Sequence, residues 1–159
     1  MSVAFRRDSD EEVLEPKFEL PLPPGPNLVT PRGLAQIEAK VAELEAEIAA
    51  GGEEAAIAEA KRTLRYWQTR HATAQIAPVP PGDDVAFGTR VRFRLNGAER
   101  TLDIVGDDES DPPNGTLSFA APLAQAMLGA AAGDFADFGG KADAIEVLEV
   151  AVSGGDSHA

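Results

Sequence analysis

Two periodicities divide this chain of 159 residues. Leu34, Ile37, Val41, Leu44 and Ile48 recur at spacings of three, four, three and four, the a/d seam of an amphipathic helix. Thr30-Pro31 is a helix start, a hydroxyl cap followed by proline where no backbone N–H is needed. Gly51-Gly52 ends the helix, because glycine takes the left-handed cap conformation cheaply. A second stripe follows in Ile57, Ala60, Leu64, Trp67, His71 and Ala74, and Pro78 stops it. Two helices of about 20 residues joined by a tight turn are expected to lie antiparallel, each covering the other's stripe over about 30 Å.

From residue 78 the period changes to two. Val91, Phe93 and Leu95 alternate with Arg90, Arg92 and Arg94, as in a half-buried strand. Asn96-Gly97 signals a hairpin, with Thr101 to Val105 returning. Asn114-Gly115 marks another turn before Thr116–Phe119. Pro122 opens a short helix carrying Leu123, Met127 and Leu128 and closed by Gly129, and Ile145, Val147 and Val150 supply a last strand. The expected fold is α+β, a helical hairpin at 29–77 followed at 78–152 by a small antiparallel β domain with one short helix. Residues 1–28 hold Pro16, Pro21, Pro23, Pro24 and Pro26 and read as a disordered acidic tail; 153–159 read as a flexible one.

Composition narrows the chemistry. The net charge is -13, and fourteen acids against five bases after residue 77 account for -9 of it. Such a balance disfavours nonspecific affinity for a nucleic-acid backbone. Zero cysteines exclude disulfides and thiolate sites, and His71 and His158 are too far apart in the chain to suggest zinc. The N-terminus turns acidic where a signal peptide would turn apolar, and no run approaches a membrane span, so a cytoplasmic protein is expected. No phosphate loop or nucleophile elbow is present.

Several pieces, in order, resemble the Gre family of bacterial transcript-cleavage factors, GreA and GreB. They are Leu28-Val29-Thr30-Pro31-Arg32-Gly33-Leu34, the basic run Arg62-Thr63-Leu64-Arg65-Tyr66-Trp67, and Phe87-Gly88-Thr89-Arg90-Val91. The acidic turn Ile104 to Asp111 and the stretch Leu117 to Gly129, followed by Gly133-Asp134, complete the series. The resemblance implies a coiled coil followed by an FKBP-like domain. It implies a monomer that docks its C-terminal domain on RNA polymerase beside the secondary channel, meeting nucleic acid only through that complex and no membrane. The coiled coil then enters the channel, where tip acids help position Mg²⁺ held by the polymerase; the factor has no cofactor of its own and is not itself an enzyme.

The chain departs from the family's pattern in three places. An Asp-x-Ser-Glu-Asn-Ala tip signature is absent between Leu44 and Leu64, and the hairpin is several turns shorter. Ala120 and Ala121 stand where the family has a polar residue and a serine before Pro122. These differences favour modulation or occupancy of the channel over transcript cleavage. An interaction module with another partner is the alternative, and prolyl isomerisation is disfavoured because fold alone does not carry activity.

The candidate residues follow. Glu53 and Glu54 crown the Gly51-Gly52 turn and are the only tip candidates, although acids suit the first turn of any helix. Ala120, Ala121, Pro122 and Leu123 are the polymerase-docking residues that the resemblance implies. Arg62 and Arg65, with Lys61 and Arg70, form a basic face that would lie toward the transcript or simply be solvated. Trp67 is expected to pack at the hairpin base beside Tyr66, and His71 to be structural. Asp107, Asp108, Glu109 and Asp111 read as a solvated turn, since the sixth position from Asp107 is Pro112 rather than an EF-hand glycine.

Overall fold

The computed structural model describes residues 19–153. The tail expected at 1–28 lies outside that range up to residue 18, as do residues 154–159, His158 among them. The architecture is α+β, with two long helices and a mixed sheet. In order, the elements are β1 (Leu28–Val29), α1 (Pro31–Ala50), α2 (Glu54–Thr73), β2 (Gln75–Ile76), β3 (Thr89–Leu95) and β4 (Ala98–Val105). Two 3-10 turns at Asp107–Glu109 and Pro112–Asn114 lead to β5 (Thr116–Ser118), α3 (Pro122–Met127), β6 (Phe135–Phe138) and β7 (Lys141–Val152).

The chain divides into two compact units, one holding Ala35–Thr73 and the other Pro26–Leu34 with the residues from Ala74 onward. In the helical unit, Ile37 and Leu44 are buried, and Val41 and Ile48 are half-buried, along the expected stripe. Gly51 (φ +81°) and Gly52 (φ +139°) take the positive φ values that stop α1. Three residues separate α1 from α2, and near the far end of α2 His71 Nε2 lies 3.3 Å from Glu38 Oε2 on α1. His71 is an exposed surface group and not the packed histidine its place on the stripe suggested.

The second unit is built on a five-stranded sheet of order β5-β4-β3-β7-β6. On β3, Thr89, Val91 and Phe93 are buried, and the arginines between them face outward. Asn96 (φ +50°) and Gly97 (φ +90°) make the two-residue turn to β4, the geometry that matches strand twist. Val91 pairs with Leu102 on one side and Val150 on the other, and Phe93 with Val147. A shift of register between Arg92 and Phe93 leaves Leu148 unpaired, a bulge. That extra residue lets Val147 and Val150, an odd spacing, serve the same face. Ala124 and Met127 of α3 close this core, whose largest fully buried members are Phe93, Ile104, Met127 and Ile145.

The sheet is not the antiparallel one expected: β5 runs parallel to β4, pairing Ile104 with Leu117. Asn114-Gly115 does turn the chain, but it follows a first 3-10 turn at Asp107–Glu109. The two changes of direction bring the strand back in its original sense. Parallel pairing also joins β1 to β2, where Gln75 N–H donates to the Asn27 carbonyl at 2.9 Å. Residues 27–34 and 74–77 therefore cluster with the sheet, whereas a tail to 28 and a helical hairpin over 29–77 were expected. The strand at Phe135–Phe138 carries too little alternation to announce itself. Its Phe135 is 57% exposed and lies outside the core.

Candidate functional site

A clasp of side-chain hydrogen bonds forms at the entry to α1 in the sheet unit. Thr30 caps the helix, its Oγ1 accepting the Gly33 N–H at 2.9 Å. The same hydroxyl donates to Glu109 Oε1 at 2.6 Å, and Arg32 Nε donates to Glu109 Oε2 at 3.0 Å. The Glu109 side chain is only 5% exposed, so the acidic turn is not the solvated loop its sequence suggested. Thr116 Oγ1 donates to the Glu109 carbonyl (2.8 Å), and Ser118 Oγ donates to Asp107 Oδ1 (2.6 Å). Carboxylates concentrated in a turn read as solvated until their donors are known, and these donors stand up to 79 residues away.

Two glycines make the clasp possible by closeness. A Cβ at Gly33 would lie 2.7 Å from Glu109 Oε1, and one at Gly106 only 2.2 Å from the Leu28 carbonyl oxygen. Gly33 belongs to the run Leu28–Leu34, and Gly106 opens the acidic turn. These two sequence pieces are thus opposite halves of one contact.

The segment before α3 is the second feature. Ala121 is the N-cap of α3, with φ -66° and ψ 146°, and no side chain caps the helix. Ser118 Oγ accepts the Ala120 N–H at 3.0 Å. Ala120 and Pro122 are exposed, while Ala121 and Leu123 are half-buried and pack on the core. Leu128 is 37% exposed just beyond the helix. The residues after it are strapped down: Gly129 N–H donates to the Val85 carbonyl, and Val85 N–H to the Ala130 carbonyl, both at 2.8 Å. Ala120, Pro122 and Leu128 are thus exposed around the two ends of this short helix.

The remaining candidates lie in the helical unit. Glu53 and Glu54 are exposed beside the two-glycine turn. Among the described residues no group of three or more His, Asp or Glu is arranged to hold a metal ion. Arg65 is engaged by Glu19: its Nε donates to both carboxylate oxygens at 3.2 and 3.0 Å, with Nη2 2.9 Å from Oε2. Arg62 is half-buried, and its Nε has no hydrogen-bond partner among the described residues. Tyr66 and Trp67 meet edge to face, centroids 5.0 Å apart, and both are half-buried. Arg70, assigned to the basic face, is instead buried at 3% exposure.

The arginines of β3 form a separate charged row on the outer face of the sheet. Arg90 pairs with Asp103, Arg92 with Glu99 and Glu149, and Arg94 with Glu146. Hydrogen bonds that Arg92 donates to Glu149 and then to Glu99 hold its guanidinium above its ordinary pKa. An arginine is charged in either case, so the row stays paired across the physiological range. No helix among the described residues is long and apolar enough to cross a membrane.

Residues 80–152 match the family described as Transcription elongation factor, GreA/GreB, C-term. Transcription elongation factor GreA of Desulfovibrio desulfuricans is 37% identical over 79 residues, covering 47% of this chain and 49% of that protein. GreA of Rhizobium etli is 36% identical over 73 residues, covering 43% and 46%. The chain thus spans about half the length of the curated relatives it matches. Among solved structures, GreA factor homolog 1 (Gfh1) of Thermus thermophilus aligns with 79% of this chain and 99% of its own. That alignment has 14% identity and a TM-score of 0.36. GreA/GreB from Nitrosomonas europaea aligns with 80% and 99%, at 20% identity and a TM-score of 0.37.

Proposed function

We propose that this chain, whose residues 80–152 match the family described as Transcription elongation factor, GreA/GreB, C-term, works as a Gre-type transcription elongation factor on bacterial RNA polymerase. The observation that carries the reading is the match over the sheet unit, together with the exposed Ala120, Pro122 and Leu128 at the start and end of α3. In this reading the sheet unit is an FKBP-like domain that docks on the polymerase near its secondary channel. Pro122 and Leu123 lie at the centre of the contact, with Ala120 and Ala121 at its edge. The helices α1 and α2 act as an antiparallel coiled-coil arm with Gly51-Gly52 at its tip.

The arm's chemistry favours occupying the channel over stimulating cleavage. Any cleavage would use the polymerase's own metal ion, with Glu53 and Glu54 adding at most two carboxylates to it. The protein has no catalytic step of its own here, and the cytoplasm is its expected compartment. Nucleic acid would be met only inside the polymerase complex, through Arg62 and Arg65.

Two measurements test this. Tagged full-length protein should retain core RNA polymerase in mild salt, and absence of the polymerase subunits would refute the docking. On a stalled, backtracked elongation complex it should compete with a cleavage-competent factor while stimulating little cleavage itself. Strong stimulation would restore Glu53 and Glu54 as working tip residues. Neither competition nor stimulation would remove the channel from the reading.

A further inference from the structure

We propose that the open edge of β6 is a docking site for an extended basic segment of a partner protein, which adds to the sheet as a further strand. The two edges of the sheet are finished differently. On the β5 side, Thr116 and Asp111 exchange both backbone hydrogen bonds, at 3.0 and 3.3 Å, and the Ser118 N–H donates to Ser110 Oγ at 3.0 Å. The acidic turn therefore satisfies the polar groups of that edge. On the other side, no strand among the described residues lies beyond β6, and Phe135 is 57% exposed there.

The ladder fixes which groups β6 offers. Val147 N–H donates to the Asp134 carbonyl at 2.9 Å, and Phe135 pairs with Glu146 and Ala136 with Ile145. In an antiparallel ladder successive residues turn their N–H and C=O alternately toward the partner strand and away from it. The Asp134 carbonyl faces β7, so the N–H and C=O of Phe135 face the open edge, and Asp137 follows in the same alternation. The side chains alternate too. Ala136 and Phe138 pack on the core, whereas Phe135 and Asp137 are exposed on the opposite face.

Charge selects the occupant. From residue 134 to 146 stand Asp134, Asp137, Asp143 and Glu146 against the single base Lys141. Arg94 answers Glu146, but Asp137 Oδ1 accepts the Asp143 N–H, which ties a second acidic residue to the edge. A second copy of this chain would bring the same acids and its own net charge of -13, and like charges placed opposite each other destabilise paired strands. A cation opposite Asp137 is favourable, and a β-branched residue opposite Phe135 makes a stabilising cross-strand pair. The fitting segment is thus extended, with Lys or Arg two positions from Val, Ile or Thr, so that both side chains fall on the face of Phe135 and Asp137. Its main-chain hydrogen bonds give the binding, and that alternation gives the choice of sequence. The site does not include Ala120, Pro122 or Leu128 and does not rest on their being a polymerase contact.

The test is a titration of isotope-labelled full-length protein with the capped peptide Lys-Thr-Val-Thr-Lys, followed by backbone amide shifts and hydrogen exchange. Shifts centred on residues 134–138 and slowed exchange of the Phe135 amide are expected, with a Kd of about 1 mM or tighter. Phe135→Ser should weaken binding by up to about fivefold, the worth of one cross-strand pair. Asp137→Asn keeps a side-chain acceptor for the Asp143 N–H but removes the charge, so it should weaken binding while leaving the strand in place. The same peptide N-methylated along its backbone keeps every side chain and should not bind. Equal binding by the methylated peptide would overturn the proposal, since the contact would then be charge alone. So would the absence of any shift, or shifts centred on residues 107–111 or on the glutamates of α1. Broadening at 134–138 that grows with protein concentration, with no peptide present, would assign the edge to a second copy instead.

Discussion

Replacing Glu109 by alanine tests the clasp most directly. The substitution removes a buried carboxylate that accepts from Thr30 Oγ1 at 2.6 Å and from Arg32 Nε at 3.0 Å. The hydroxyl contact is to a charged acceptor and is part-buried, worth about 1.5–3 kcal/mol. Arg32 is 65% exposed and can turn to water, so its share is about 0–1 kcal/mol. Glu109→Ala should then destabilise the sheet unit by roughly 2–4 kcal/mol. Urea unfolding followed by circular dichroism should show a lower midpoint at unchanged slope. The sharper test is a cycle with Gly33→Ala. In the natural background the new Cβ would sit 2.7 Å from Glu109 Oε1 and must displace it, a loss of stability. With Glu109 already alanine, the nearest remaining atom is Thr30 Oγ1 at 3.3 Å. A glycine-to-alanine change inside a helix gains about 0.5–1 kcal/mol, so the sign of the substitution should reverse. Effects that simply add, within about 0.5 kcal/mol, would refute the idea that Gly33 is there to admit the carboxylate.

Other perturbations follow from the same geometry. Gly106→Ala should cost about 3 kcal/mol or more by thermal unfolding, because the clash at 2.2 Å is with backbone and nothing flexible can yield. Ala121→Ser should raise the melting temperature, a hydroxyl cap on α3 adding about 0.5–1 kcal/mol where no side chain now caps. The same change should strengthen retention of RNA polymerase in a pull-down if α3 is the docking element. Phe93→Ala, at a fully buried position of the central strand, should cost about 3–5 kcal/mol in urea unfolding. Arg92→Ala on the outer face should leave the urea midpoint nearly unchanged, and raising the salt should reduce even a small difference, because exposed ion pairs contribute little.

The helices were legible because their signals are local. Thr30-Pro31 and Gly51-Gly52 bound α1 at Pro31 and Ala50, and the three-four stripe puts Ile37 and Leu44 inside. The alternation of β3 and the Asn96-Gly97 turn were readable for the same reason. Trouble began where a residue's environment is supplied from far away. Nothing near Gln75 shows that Asn27, Leu28 and Val29 will pair beside it, so the chain from 74 to 77 looked like the end of a helix. His71 keeps the spacing of the stripe but is exposed, with its Nε2 beside Glu38. The candidate site divides in the same way. The short helix at Pro122 was visible from its start signal, whereas the engagement of Arg65 by Glu19 was not.

What the amino-acid order determined by itself was the set of elements: two capped helices, an alternating hairpin strand and a proline-led short helix. Each rests on steric and solvation preferences acting over at most four residues. What only the tertiary structure decided was which polar groups are removed from water. Glu109 among four acids of one turn is the buried one because Thr30 and Arg32 meet it from the other end of the unit. The parallel docking of β5 and the bulge at Leu148 were settled the same way, by backbone partners brought together across the fold. A charge costs little where it stands in solvent and is retained in the interior only if donors converge on it, and convergence is a property of the folded chain rather than of any window along it.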